Sequence, residues 1–176
     1  MAAFVPKFEF LGNCKPGQLV RLREGDETRW AITCEVDGRF VAPVLIMSLT
    51  EVKTVNIKEG GRVTGDFDRI PVLVYGSDFS IEPDHTGEVV LVAGEILKIP
   101  GRILQAKEEL YLVATSEAAR VDYVALPGAK VCSEPGGYRA LYSRWRLTHK
   151  HITREGVPQT LLEFDATKLA QKRKAA

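Results

Sequence analysis

The stretch RWAITCEVDGRFVAPVLIM, residues 29–47, decides the fold. Two apolar runs are joined by Asp37-Gly38, a pair suited to a two-residue hairpin loop, in which both central residues take positive φ. Counting outward sets Val36 against Arg39, Cys34 against Val41, Ile32 against Pro43 and Trp30 against Leu45. Trp30, Ile32, Cys34 and Val36 then share one face of the first strand and Arg29, Thr33 and Glu35 the other, the period-2 pattern of a half-buried strand. The second strand is apolar on both faces, which predicts an interior place in the sheet. Pro43 has no N–H to give its partner, so regular pairing is expected to stop near Ala42.

Upstream, Phe4 to Leu11 with Pro6 reads as a first edge strand, and a Lys15-Pro16-Gly17 turn opens an alternating strand, Gln18 to Arg23. Downstream, Glu51 to Ile57 and Ile70 to Tyr75 read as strands, and Gly76 to Gly87 as a polar loop. Glu88 to Ile99 is the longest apolar run. Its β-branched residues and Gly94 favour a bent strand over a helix.

From Pro100 the pattern partly restarts. Pro100 to Ala106 echoes Pro16 to Leu22, Tyr111 to Ser116 echoes Trp30 to Glu35, and Val121 to Leu126 echoes Val41 to Ile46. Two related three-strand meanders are expected. Tyr138 to Ile152 and Val157 to Phe164 read as further strands, and Asp165 as the N-cap of a short basic helix, 166–174. About ten short strands separated by turn residues predict an all-β fold, either an antiparallel sandwich or one or two small SH3-like barrels. The Pro-Gly turn running into Leu-Val-Arg-Leu resembles the start of many SH3-like barrels. Three regions follow: a β-meander over 1–99, a second over 100–164 that either shares one core with the first or forms its own, and a basic helix or tail over 165–176.

The 176 residues are 45% hydrophobic and 27% charged, an ordinary globular composition. No apolar run approaches the ~20 residues that span a bilayer, and Met1 to Lys7 lacks the pattern of a secretory signal. Cys14, Cys34 and Cys132 are odd in number and far apart, which favours free thiols in a reducing compartment. A cytoplasmic or virion-associated protein is expected. Residues 137–176 hold nine bases against three acids, while residues 1–136 hold fifteen bases and twenty acids. Such a split bears on partners and association.

The basic end carries the leading motif. On a strand through 141–152, Tyr142, Arg144, Arg146 and Lys150 would share one face. With Arg154 and the tail cations Lys172, Arg173 and Lys174, that row could follow a phosphate backbone while the ring stacks a base. The opposite face would carry Trp145, Leu147, His149 and His151. His149-Lys-His151 with Glu155 resembles the first metal motif of the cupins, and the resemblance implies a metal held by His149 and His151. The glycines flanking that motif are replaced by Ser143 and Leu162. Asp66, Asp68, Asp78, Glu82 and Asp84 are oxygen donors without EF-hand spacing. Gly60-Gly61 and Gly136-Gly137 lack the helix a phosphate loop needs, and G-x-S-x-G, CxxC and H-E-x-x-H are absent.

The sequence therefore reads as a non-catalytic β-rich assembly module, without a cofactor, that associates with itself or a protein partner. The competing readings are a nucleic-acid-binding protein and a metal-dependent small-molecule enzyme centred on His149 and His151.

Overall fold

The computed structural model describes residues 4–24, 26–36, 43–56, 69–84, 99–116 and 120–168. The chain is all-β. Its strands are β1 (Lys7–Phe10), β2 (Leu19–Glu24), β3 (Glu27–Thr33), β4 (Glu35–Val36), β5 (Pro43–Met47), β6 (Val52–Asn56), β7 (Pro71–Gly76) and β8 (Phe79–Pro83) in the first half. The second half has β9 (Ile103–Ala106), β10 (Glu109–Ser116), β11 (Val121–Leu126), β12 (Lys130–Cys132), β13 (Tyr138–Tyr142), β14 (Arg144–Arg154) and β15 (Val157–Asp165). Among the described residues twelve strands form one open sheet, and β15, β14 and β8 form a second.

The deciding hairpin is present with a different register. Ile32 pairs with Leu45 and Trp30 with Met47, rather than with Pro43 and Leu45. A slip of two residues keeps every side chain on its predicted face, because the period is two. Ile32, Cys34, Leu45 and Met47 accordingly lie in one core cluster, and Ala31, Val44 and Ile46 in another. β5 is buried on both faces between β3 and β6, and Pro43 pairs with Asn56 as its first residue. The expected stop at Ala42, and Asp37-Gly38 itself, lie outside the described residues. Around its end the first strand also engages other segments. Thr33 exchanges backbone bonds with Gly17 and Gln18, and its hydroxyl accepts the Gln18 N–H at 3.0 Å. Glu35 and Val36 leave to pair in parallel with Lys130 and Val131.

The repeat extends further than the three expected strands. β2-β3-β5-β6 and β9-β10-β11-β12 pair in the same register: Leu19–Ile32–Leu45–Thr54 in the first corresponds to Ile103–Leu112–Val124–Val131 in the second. A fifth strand returns to the first in each case, β7 to β2 and β13 to β9. Each unit also lends the end of its second ribbon to the fourth strand of the other. Thr115-Ser116 pair with Lys53-Thr54 just as Glu35-Val36 pair with Lys130-Val131. The structural match sets Ala31 against Tyr111, one residue away from the sequence echo, which set Trp30 there.

Each unit has its own cluster, Val20, Leu22, Ala31, Val44, Ile46 and Val55 in the first and Leu104, Ala106, Tyr111, Val113 and Tyr123 in the second. The largest cluster draws on both units. The small sheet covers it with Ile81, Trp145, Leu147, Leu162 and Phe164.

Three expectations are corrected. The loop 76–87 contains β8, whose Phe79 and Ile81 alternate with Ser80 and Glu82 and turn inward. β12 is an additional strand. The single strand over 138–152 is broken at Ser143: Tyr142 pairs with Ile103 in the large sheet, and Arg144 pairs with Asp165 in the small one. Asp165 accepts the Thr167 N–H at 3.0 Å, as an N-cap does, at the start of the helical turn 166–168. Residues 169–176 lie outside the described residues.

Candidate functional site

The outer face of the small sheet carries the predicted basic row, and the register decides what that row can do. Cross-strand partners point to the same face. Arg146 stands between Glu82 on β8 and Glu163 on β15, and Arg144 stands against Asp165 on β15. On its other side Arg144 receives the Asp84 N–H at its carbonyl, at 2.9 Å. Each arginine is thus flanked by carboxylates. Arg146 reaches Glu82 at 2.8 Å, and Arg144 Nε lies 3.3 Å from Asp165. Both guanidinium groups are about half exposed, so each pair contributes no more than ~1 kcal/mol.

These residues line a cleft of about 870 Å³ together with Leu49, Pro83, Lys168 and the strand segments at Trp145 and Phe164, whose stacked rings lie in the core. Its wall holds four carboxylates (Glu82, Asp84, Glu163, Asp165) against three cations (Arg144, Arg146, Lys168). One negative charge is in excess. Burial raises the Asp165 pKa, but the two bonds from Thr167 and the charges of Arg144 and Lys168 outweigh it, so its carboxyl is held below the usual range.

The rest of the predicted row is dispersed. Tyr142 is 5% exposed, lies in the shared core and donates its hydroxyl to Gln105 at 2.9 Å. The break at Ser143 separates it from the arginines. Lys150 and Arg154 are exposed further along β14, beyond a register shift after Thr148. Lys172, Arg173 and Lys174 lie outside the described residues.

His149 and His151 do not share an environment. His149 is fully buried among Phe4, Tyr75 and His151. Its Nδ1 accepts the His151 backbone N–H at 3.2 Å, so the proton sits on Nε2, which donates to the Tyr75 carbonyl at 2.8 Å. Both ring nitrogens are engaged, which leaves no lone pair for a metal. His151 is exposed and bonds Asp78 at 2.9 Å, and that bond lowers the Asp78 pKa. Glu155 takes positive φ in the turn joining β14 to β15. Among the described residues no group of three or more His, Cys, Asp or Glu could hold a metal ion, and no helix is long and apolar enough to cross a membrane. His85, Asp66 and Asp68 fall outside those residues.

All three cysteines are free. Burial pushes the Cys34 thiol up to about 12 and raises Cys14 and Cys132 as well. The thiolate is the reactive form. At pH 8, Ellman's reagent is expected to titrate Cys14 and Cys132 in the native protein and Cys34 only after unfolding. Full native reaction of three thiols would contradict the buried position of Cys34.

A second surface was less legible in the sequence. One row crosses the large sheet through Met47, Trp30, Arg21, Leu73 and Phe8, all on one face. Met47 is fully buried, Trp30 packs against the core from a partly buried position, and Arg21 lies over its ring at 5.5 Å. Beyond them Leu73 is 38% exposed and Phe8 63% exposed. Phe10, 45% exposed, meets Phe8 edge-on at 6.0 Å. The face that forms the core therefore runs on past its cover. The alternation Lys7-Phe8-Glu9-Phe10 signalled a strand, but only the sheet order shows that nothing in the described residues lies over its phenylalanines.

Comparison with protein-family models, with curated proteins and with solved structures finds no match to this chain.

Proposed function

We propose that this chain is a non-catalytic assembly module that associates with a second copy through the apolar strip of Phe8, Phe10 and Leu73. The observation that carries the reading is that strip, a continuation of a core face at the end of the sheet that no described residue covers. Contiguous exposed apolar surface of this kind marks interaction sites, and sheet edges must be paired or covered. Three unpaired thiols support a reducing setting, cytoplasmic or virion-associated. The carboxylates flanking Arg144 and Arg146 weaken the competing nucleic-acid reading, since the cleft wall would repel phosphate.

The test is light scattering coupled to size exclusion, with absorbance recorded at 260 and 280 nm. The expected result is a protein peak at a multiple of 19.5 kDa that Phe8→Asp reduces to 19.5 kDa. Phe8 is largely exposed, so this change is expected to alter unfolding free energy by no more than ~0.5 kcal/mol. A wild-type peak at 19.5 kDa at every concentration would end the proposal. A nucleic-acid-rich peak that clears with salt would transfer it to Lys150, Arg154 and the tail.

A further inference from the structure

The geometry points to one mode for that association, and it rests on the self-association reading above: two copies join β1 to β1, antiparallel, about a two-fold axis at Phe8. β1 ends the strand order of the large sheet and pairs only with β7 among the described residues. Leu11 donates its N–H to Ile70 at 2.9 Å, which fixes the alternation along the ribbon. Lys7, Glu9 and Leu11 turn their peptide groups toward β7. Phe8 and Phe10 turn theirs away, toward the edge that no described strand pairs.

The edge is partly blocked. The outward N–H of Phe10 is bonded at 3.0 Å by the carboxylate of Glu9, which Asn13 also holds, and its carbonyl accepts the Cys14 thiol. Pro6 has no N–H. Among the described residues, Phe8 is left as the position whose N–H and C=O both face outward without a side-chain cap. A two-fold contact there lets Phe8 of each copy donate to and accept from Phe8 of the other. No second register offers this.

The charges select the same centre. With Phe8 on the axis, Lys7 faces Glu9 of the second copy and Glu9 faces its Lys7, unlike against unlike at both places. Centring the contact on Lys7 or on Glu9 would set like charge against like, which is destabilising. The apolar pattern agrees, since the two Phe8 rings become neighbours and each Phe10 lies beside Pro6 of the other copy. Such a contact is isologous and closes at two copies.

The test is a pair of charge reversals on the full chain, read by light scattering. Lys7→Glu opposes Glu to Glu, and Glu9→Lys opposes Lys to Lys, so each alone is expected at 19.5 kDa. Mixed one to one, they are expected at twice that mass, because every position then meets its opposite. Loss of the bond between Lys7 and Glu9 within one copy cannot produce rescue by mixing. Phe8→Cys provides a second measurement. Paired Cα atoms at ~5.5 Å suit a disulfide, and mild oxidation is expected to give a covalent dimer that wild type does not. Reversal variants that remain dimeric like wild type, or no cross-link at Phe8→Cys, would overturn this mode. If Phe8→Asp still dissociated the protein, the apolar strip would stand as the interface. A wild type that is monomeric throughout would remove both.

Discussion

Trp145→Ala is expected to lower the unfolding free energy by about 3–5 kcal/mol. The indole is 2% exposed and stacks on Phe164, with centroids 5.0 Å apart at 17°. Its Nε1–H donates to the Gly101 carbonyl at 2.8 Å. That bond joins the small sheet to the turn that enters β9 of the large one. Removing the ring opens a cavity in the cluster shared by both units and leaves a buried carbonyl without its donor. Trp145→Phe separates the two effects: it keeps most of the packing and loses the bond, for an expected cost of about 1–3 kcal/mol. Urea unfolding followed by circular dichroism gives both values. A loss below ~1 kcal/mol for Trp145→Ala would show that the small sheet is not anchored through this ring.

The internal repeat supplies its own control for the second large effect. Gly17 and Gly101 hold equivalent places, each donating its N–H to the second strand of its unit, at Thr33 and Val113. Both take positive φ, +79° and +85°. A side chain at either position meets the left-handed cost of roughly 1–2 kcal/mol. The surroundings differ. A Cβ at Gly17 would find its nearest neighbour at 3.7 Å, whereas one at Gly101 would lie 2.3 Å from two ring carbons of Phe164. Overpacking adds about 1–3 kcal/mol. Gly101→Ala is therefore expected to lose about 2–5 kcal/mol from the two terms together, and Gly17→Ala about 1–2 kcal/mol from the first alone. Phe164→Leu should recover part of the first loss and none of the second, a coupling that a double-mutant cycle measures. Equal losses at the two glycines, with no coupling to Phe164, would show that backbone strain alone sets the cost.

The cleft shows how far strand parity carries and where it stops. Parity placed Arg144 and Arg146 on one face and Trp145 and Leu147 on the other, and the structure has them so. It could not show that Glu82, 64 positions upstream, would stand beside Arg146. β8 is hidden from the sequence because five residues, two of them polar and one a proline, fall short of the usual strand signals. Tyr142 was misplaced for a local reason. A bend at Ser143 passes the chain from one sheet to the other, and parity does not survive a bend.

The sequence by itself determined the all-β class, the two faces of residues 30–34, the interior place of residues 43–47, the cap at Asp165 and the echo between the two halves. Each of these follows from periodicity or from the chemistry of one residue and its near neighbours. Only the tertiary structure decided which strand lies beside which: Glu35-Val36 beside Lys130-Val131, carboxylates beside the arginines, and Phe8 at an end of a core face that no described residue covers. Those outcomes depend on contacts between residues distant in the chain. Alternation along a strand fixes which way a side chain points, but not what stands opposite it.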